Sequence, residues 1–132
     1  GSSPEVWGVE PRAGDDGARS LQQGSVVVLD HPPDTIADGL RTRFLGERNF
    51  RVLREHVAGV ATVDDADILQ AVRWLWIRLK LFIEPSAAVG LAALLQGAIP
   101  VAGRRVGVIL SGGNADPMAV ARGLESIPAD LW

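Results

Sequence analysis

RVGVILSGGN, residues 105–114, sets a β-branched apolar run directly before a polar glycine turn. Val106, Val108 and Ile109 give RVGVIL the composition of a buried strand. In an open α/β sheet, ligands bind beyond the carboxyl ends of the strands. Ser111-Gly112-Gly113-Asn114 therefore stands where a ligand would be received. Glycines admit a close backbone approach, and a serine hydroxyl donates or accepts a hydrogen bond. The same four residues also read as a plain tight turn with a helix cap, and spacing alone leaves both readings open.

Outward from that stretch, strand and helix patterns alternate. Upstream, Ala87 to Gln96 is an Ala/Leu-rich helix opened by Glu84-Pro85-Ser86, and Gly97, Pro100 and Gly103 punctuate the connection. Asp64, Asp65 and Asp67 open another helix, where acidic residues favour the positive end of the dipole. Its stripe is Ile68, Val72, Leu75 and Leu79 with Trp76 beside it, while Trp74 lies off the stripe, towards a partner surface. Glu47 to Val57 has Phe50, Leu53 and Val57 at helical spacing. Glu5 to Glu10, Ser25 to Leu29 and Gly59 to Val63 read as strands. Asp15-Asp16 precedes a short helix that Gly24 stops, and Asp116-Pro117 begins a last one. This alternation gives an α/β fold with a mainly parallel sheet and flanking helices, in one domain over residues 1–132.

Composition narrows the function. Net charge is −3, and all but one of the 13 basic residues are scattered arginines, which speaks against a nucleic-acid or anionic-membrane surface. With no cysteine, disulfides, zinc–thiolate sites and cysteine nucleophiles are excluded. The apolar runs 74–83 and 87–95 are too short or too interrupted by charge to span a bilayer. No basic segment followed by an apolar one opens the chain, so a cytoplasmic protein without a signal peptide is expected. Lys80 is the only lysine, so any Schiff-base chemistry must use Lys80 or a lysine from elsewhere.

Two further polar clusters follow apolar strands. Glu10 with Asp15 and Asp16 offers carboxylates and loop carbonyls to a hard divalent cation; alternatively, an aspartate caps the helix and Glu10 is solvated. Asp34 to Gly39 either lines a pocket or forms an Asx-type turn. His31 and His56 read as surface histidines.

Taken together, GVEP (8–11) with DD (15–16), TIADGLRT (35–42), LGERNF (45–50), VDDADI (63–68), LKLFIEPSAAVGLAALL (79–95) and VGVILSGGN (106–114) resemble one family. In this order they are similar to serine/threonine dehydratases and serine racemases, pyridoxal-phosphate enzymes of fold-type II, related to the tryptophan synthase β chain. The likeness runs from about Val6 to Asp116. It implies a cofactor site made by Ser111, Gly112, Gly113, Asn114, Asp38, Gly39 and Glu84, with Ser111 on the pyridine nitrogen. A serine there keeps the electron sink weak, which suits β-elimination. It also implies a divalent-cation site (Mg²⁺, Mn²⁺ or Ca²⁺) at Glu10, Asp16 and the carbonyl of Gly14.

The reaction implied is loss of the β-hydroxyl from serine, threonine or 3-hydroxyaspartate to give a 2-oxo acid and ammonia, or racemisation of serine. The family's Schiff-base lysine and phosphate-binding glycine loop precede the segments found here, and Lys80 matches a different lysine. The resemblance thus implies an N-terminal half as partner, a homo-oligomer, and a chain inactive alone. A non-catalytic interaction module that retains the fold is the rival reading, and a stand-alone metal-binding domain a third. Ala87 in place of a common glycine, and Arg43-Phe44 in place of smaller residues, imply a narrowed or altered pocket.

Overall fold

The computed structural model describes residues 4–128. Strand β1 is Val6–Pro11 and helix α1 is Asp16–Gln23, with a short 3-10 turn between them. Helix α2 (Glu47–His56) leads into strand β2 (Val57–Val63), and α3 (Asp65–Trp74) runs on into a π-helical turn, Leu75–Leu79. Helices α4 (Pro85–Leu95) and α5 (Pro117–Glu125) complete the order. β1 and β2 pair in parallel, with Trp7 opposite Gly59 and Pro11 opposite Val63.

The core lies between this ribbon and the α3/α4 pair. Ile68, Ala71 and Val72 of α3 and Leu75 of the π-helical turn pack with Ala88, Ala92 and Ala93 of α4 and with Ala61 and Val63 of β2. Small α4 residues let the helices approach closely, so the few bulky side chains fill the interface. Ile68 is fully buried, and truncating such a side chain typically costs about 2–5 kcal/mol.

Local signals placed the helix ends well. Gly24 takes φ 78° at the end of α1, a left-handed conformation that glycine adopts without penalty. The Asp116 carboxylate accepts from the Met118 N–H at 2.9 Å to cap α5. His31 and His56 are both exposed, as their surroundings in the sequence suggested.

Several expectations need correction. RVGVIL forms no strand and has no ladder partner among the described residues, and Ile109 is 88% exposed. Ser25 to Leu29 is likewise unpaired as a strand; it is tied at its middle by Val27 N–H to Ser20 Oγ (2.8 Å) and at its end by Leu29 N–H to the Arg43 carbonyl (2.9 Å). Strand composition reports what a segment prefers, whereas pairing needs a neighbour that composition cannot supply. Leu79 leaves the α3 stripe and is 50% exposed, because the π-helical turn inserts a residue and rotates the following face. Trp74, although off the stripe, is partly buried and packs against the core.

Candidate functional site

Three segments meet where α4 begins. The Glu84 N–H donates to the Gly112 carbonyl at 3.2 Å, joining the glycine turn to the residue before α4. A Cβ on Gly112 would stand 2.6 Å from Glu84 Oε1, the movable end of a side chain, whereas one on Gly113 would stand 2.8 Å from the fixed Phe82 carbonyl oxygen, so Gly113 is the stricter requirement. From the other side, Ser86 Oγ accepts from the Gly39 N–H at 2.9 Å and lies 3.4 Å from Asp38 Oδ1. Asp38, Gly39, Glu84, Gly112 and Gly113 thus converge on one helix start. Ser111 lines an adjoining cavity of about 550 Å³, shared with Ser86, Ala87 and Gly90 of α4 and Trp7 and Val9 of β1. Asn114 is exposed and does not line this cavity.

The Asp38–Gly39 turn is held by a contact between Thr35 and Asp65, which lie 30 residues apart in the sequence. Thr35, 2% exposed, places its Oγ1 at 2.5 Å from Asp65 Oδ1. Asp65 Oδ2 accepts from the Ile36 N–H at 3.0 Å, and Thr35 Oγ1 from the Ala37 N–H at 3.2 Å. Asp65 stands at the opening of α3, where dipole logic accounts for an acidic residue without revealing its second task. The turn is therefore built on Thr35 and Asp65 rather than on Asp34, whose side chain is exposed.

A second cluster lies where β1 meets α1. The Glu10 carboxylate accepts from the N–H groups of Gly17 (3.0 Å) and Ala18 (2.9 Å), so Glu10 caps α1. Glu10 is half-buried, and Asp15, at the N-cap position, makes no side-chain cap. Gly17 has no Cβ because Glu10 occupies that space. Burial pushes Glu10 up to about 7, opposed by the Ala18 N–H and reinforced by Asp16. Burial likewise raises Asp16, whose Oδ2 is enclosed without a hydrogen-bond partner. Both charged neighbours acting on Glu10, Asp15 and Asp16, are acidic. An all-oxygen, anionic, half-satisfied pair suits a hard cation, although among the described residues no three His, Asp, Glu or Cys groups gather as a metal cluster. Gly14 is buried against Pro33 and Leu40, which sets this cluster beside the Asp38–Leu40 turn.

Lys80 is remote in role. It adopts φ 57° at the end of the π-helical turn, and its Nζ donates to the Ile77 carbonyl at 2.5 Å. No helix of the described residues is long and apolar enough to cross a membrane.

The parallel β1–β2 ribbon and the helices packed on it define an α/β protein, and the Asp38–Gly39 and Gly112–Gly113 turns meet beside the start of α4. Comparison with known proteins gives the family. Residues 1–112 match the model of the family described as "Pyridoxal-phosphate dependent enzyme", and the chain belongs to that family. It is 46% identical over 111 residues to an L-threo-3-hydroxyaspartate ammonia-lyase of Pseudomonas sp, covering 84% of this chain and 34% of that protein. It is 39% identical to a serine racemase of Schizosaccharomyces pombe, covering 85% of this chain and 34% of that one. Among solved structures, maize serine racemase superposes with a TM-score of 0.81 at 36% identity, over 92% of this chain and 38% of that chain. The T.th. threonine deaminase gives 0.76 at 47% identity, over 85% and 40%. The chain spans about a third of the length of the curated relatives it matches.

Proposed function

We propose that this chain, as a single partial domain over residues 1–132, forms one wall of the active site of a pyridoxal-phosphate-dependent lyase. Its substrate is a β-hydroxy amino acid: serine, threonine or 3-hydroxyaspartate. The products are a 2-oxo acid and ammonia. The observation that carries the proposal is the convergence of the Asp38–Gly39 turn, Glu84 and the Gly112–Gly113 turn at the start of α4.

In this reading Ser111 offers its hydroxyl to the ring nitrogen of the cofactor, and Gly112 and Gly113 let backbone come close to the ring. Asn114 borders the same turn. Asp38 and Gly39, held by Ser86 and by the Thr35–Asp65 contact, form the opposite rim, and Glu84 lies between the two. When bound, the cofactor supplies the electron sink for removal of the substrate α-proton. Glu10, Asp16 and the Gly14 carbonyl are proposed to hold a divalent cation. The unpartnered Asp16 Oδ2 supports it, as does the lack of a basic neighbour acting on Glu10 among the described residues. That ion would neutralise two buried carboxylates next to the Asp38–Leu40 turn. The proposal places the enzyme in the cytoplasm as a homo-oligomer whose active site is completed by an N-terminal region carrying the Schiff-base lysine.

Two readings compete with it. Serine racemisation shares the α-proton removal, and identities to both groups of relatives support either reaction. A non-catalytic role is favoured by Lys80 being the sole lysine and bonded to the Ile77 carbonyl. The test is 2-oxo acid release from L-threo-3-hydroxyaspartate, L-serine and L-threonine. The sample is this chain co-expressed with the preceding part of the T.th. threonine deaminase. Release above that of the chain alone supports the lyase. Formation of D-serine without 2-oxo acid favours racemisation, and silence in both assays favours the non-catalytic role.

A further inference from the structure

We infer that Arg41 and Arg43 are positioning residues: their guanidinium groups clasp the two arms of the 30–42 loop and so hold the Asp38–Gly39 rim in place. The inference rests on the proposed site for what the rim receives, while the clasp itself belongs to this chain.

Between α1 and α2 the chain forms no strand, yet Gly39 is held at the start of α4. The arms that carry it meet at two levels. At the outer level the Leu29 N–H donates to the Arg43 carbonyl at 2.9 Å. In an antiparallel strand pair the reciprocal bond would come from the backbone N–H of the facing residue. Here Arg43 Nε supplies it, donating to the Leu29 carbonyl at 2.8 Å, so one residue closes the neck with its backbone and its side chain. At the inner level Arg41 Nε donates to the Thr35 carbonyl at 2.9 Å, and Asp34 Oδ1 lies 3.7 Å from Arg41 Nη2.

Asp65 anchors the incoming arm at Thr35 and Ile36, and Ser86 anchors the tip at Gly39. The outgoing arm, residues 41–43, is exposed throughout and is tied to the incoming arm by the two clasps. A loop of this length whose ends meet, packed by its own side chains, behaves as one unit. Closing its neck removes most of the conformations that an open loop would sample. Both side-chain bonds have an ionised donor, which makes them stronger than a neutral pair. Arg41 and Arg43 thus act on the rim from outside it, by fixing the arm that leaves Gly39.

The test is hydrogen exchange read by mass spectrometry on the full chain, native and with Arg41→Ala, Arg43→Ala or Arg43→Lys. Each alanine should speed exchange across 36–41 by about three- to tenfold, the size of one lost hydrogen bond, with α3 and α4 unchanged. Arg43→Lys keeps a charged donor on a long stem and should restore most of that protection. Exchange that rises only at residue 29, or rises as much in α3 and α4, would overturn the inference. So would a lysine variant as unprotected as the alanine one. In the complex co-expressed with the preceding part of the T.th. threonine deaminase, Arg43→Ala should lower kcat/KM for 2-oxo acid release by at least about twofold. Arg43→Lys should recover it. A native kcat/KM in the alanine variant would remove the positioning role. Silence from the native complex would instead remove the lyase reading, with the clasp still decided by exchange.

Discussion

Glu84 and Gly112 are bound twice over, once by the 3.2 Å hydrogen bond from the Glu84 N–H to the Gly112 carbonyl and once by the carboxylate filling the space of the absent Cβ. Gly112→Ala displaces only the flexible end of Glu84, whereas Gly113→Ala drives a methyl against the Phe82 backbone carbonyl. Denaturant unfolding should therefore rank them unequally. Gly112→Ala should cost under about 0.5 kcal/mol and Gly113→Ala about 1–3 kcal/mol. Equal costs would mean the turn is looser than described.

Asp65 joins α3 to the Asp38–Gly39 turn through Thr35 and Ile36. Asp65→Ala leaves a buried hydroxyl and a backbone N–H without their acceptor, at a cost of about 1–3 kcal/mol. Exchange of the amides in 36–40 should accelerate more than that of α2. Uniform acceleration would indicate global loss of stability instead.

The Glu10–Asp16 pair makes cation binding visible without activity. Both carboxylates are raised, chiefly by burial, and Asp16 Oδ2 has no partner. Saturating Mg²⁺, Mn²⁺ or Ca²⁺ should raise Tm, as any ligand of the folded state does, and Asp16→Asn should remove the shift. A Tm indifferent to all three ions would leave Glu10 as a helix cap alone.

Acid should loosen the start of the 105–110 segment. The Arg104 hydrogen bond, aided by Trp7, holds Glu5 below its ordinary value of 4.5. A depressed carboxylate adds its contribution above the unfolded value and loses it as pH falls through the folded one. Exchange around Arg104, corrected for its intrinsic pH dependence, should thus rise below about pH 4.5. Glu5→Gln should show no such step. Glu5 is fully exposed to solvent screening, so the effect stays local and is weakened by salt.

Helices were readable from the sequence because their signals are local. The acidic opening of α3, Pro85 in α4 and Gly24 after α1 each act within a turn. RVGVIL reads as a strand by composition but forms none among the described residues, because pairing needs a neighbour that composition does not supply. The site divides the same way. Ser111–Asn114 announces itself by glycine spacing, whereas Asp65, 27 residues from Asp38, is recognised only once folding brings Thr35 to it. Glu10 showed that a carboxylate before a helix can serve it from outside, seven residues ahead of the N–H of Gly17.

The most direct test of the central claim is the visible absorption spectrum after adding pyridoxal phosphate, followed by dialysis, borohydride reduction and peptide mapping. The account predicts no dialysis-resistant band for the chain alone. It predicts a band in the co-expressed complex that maps to a lysine outside this chain. A stable band in the chain alone that maps to Lys80 would contradict it, because this chain would then carry the Schiff-base lysine itself.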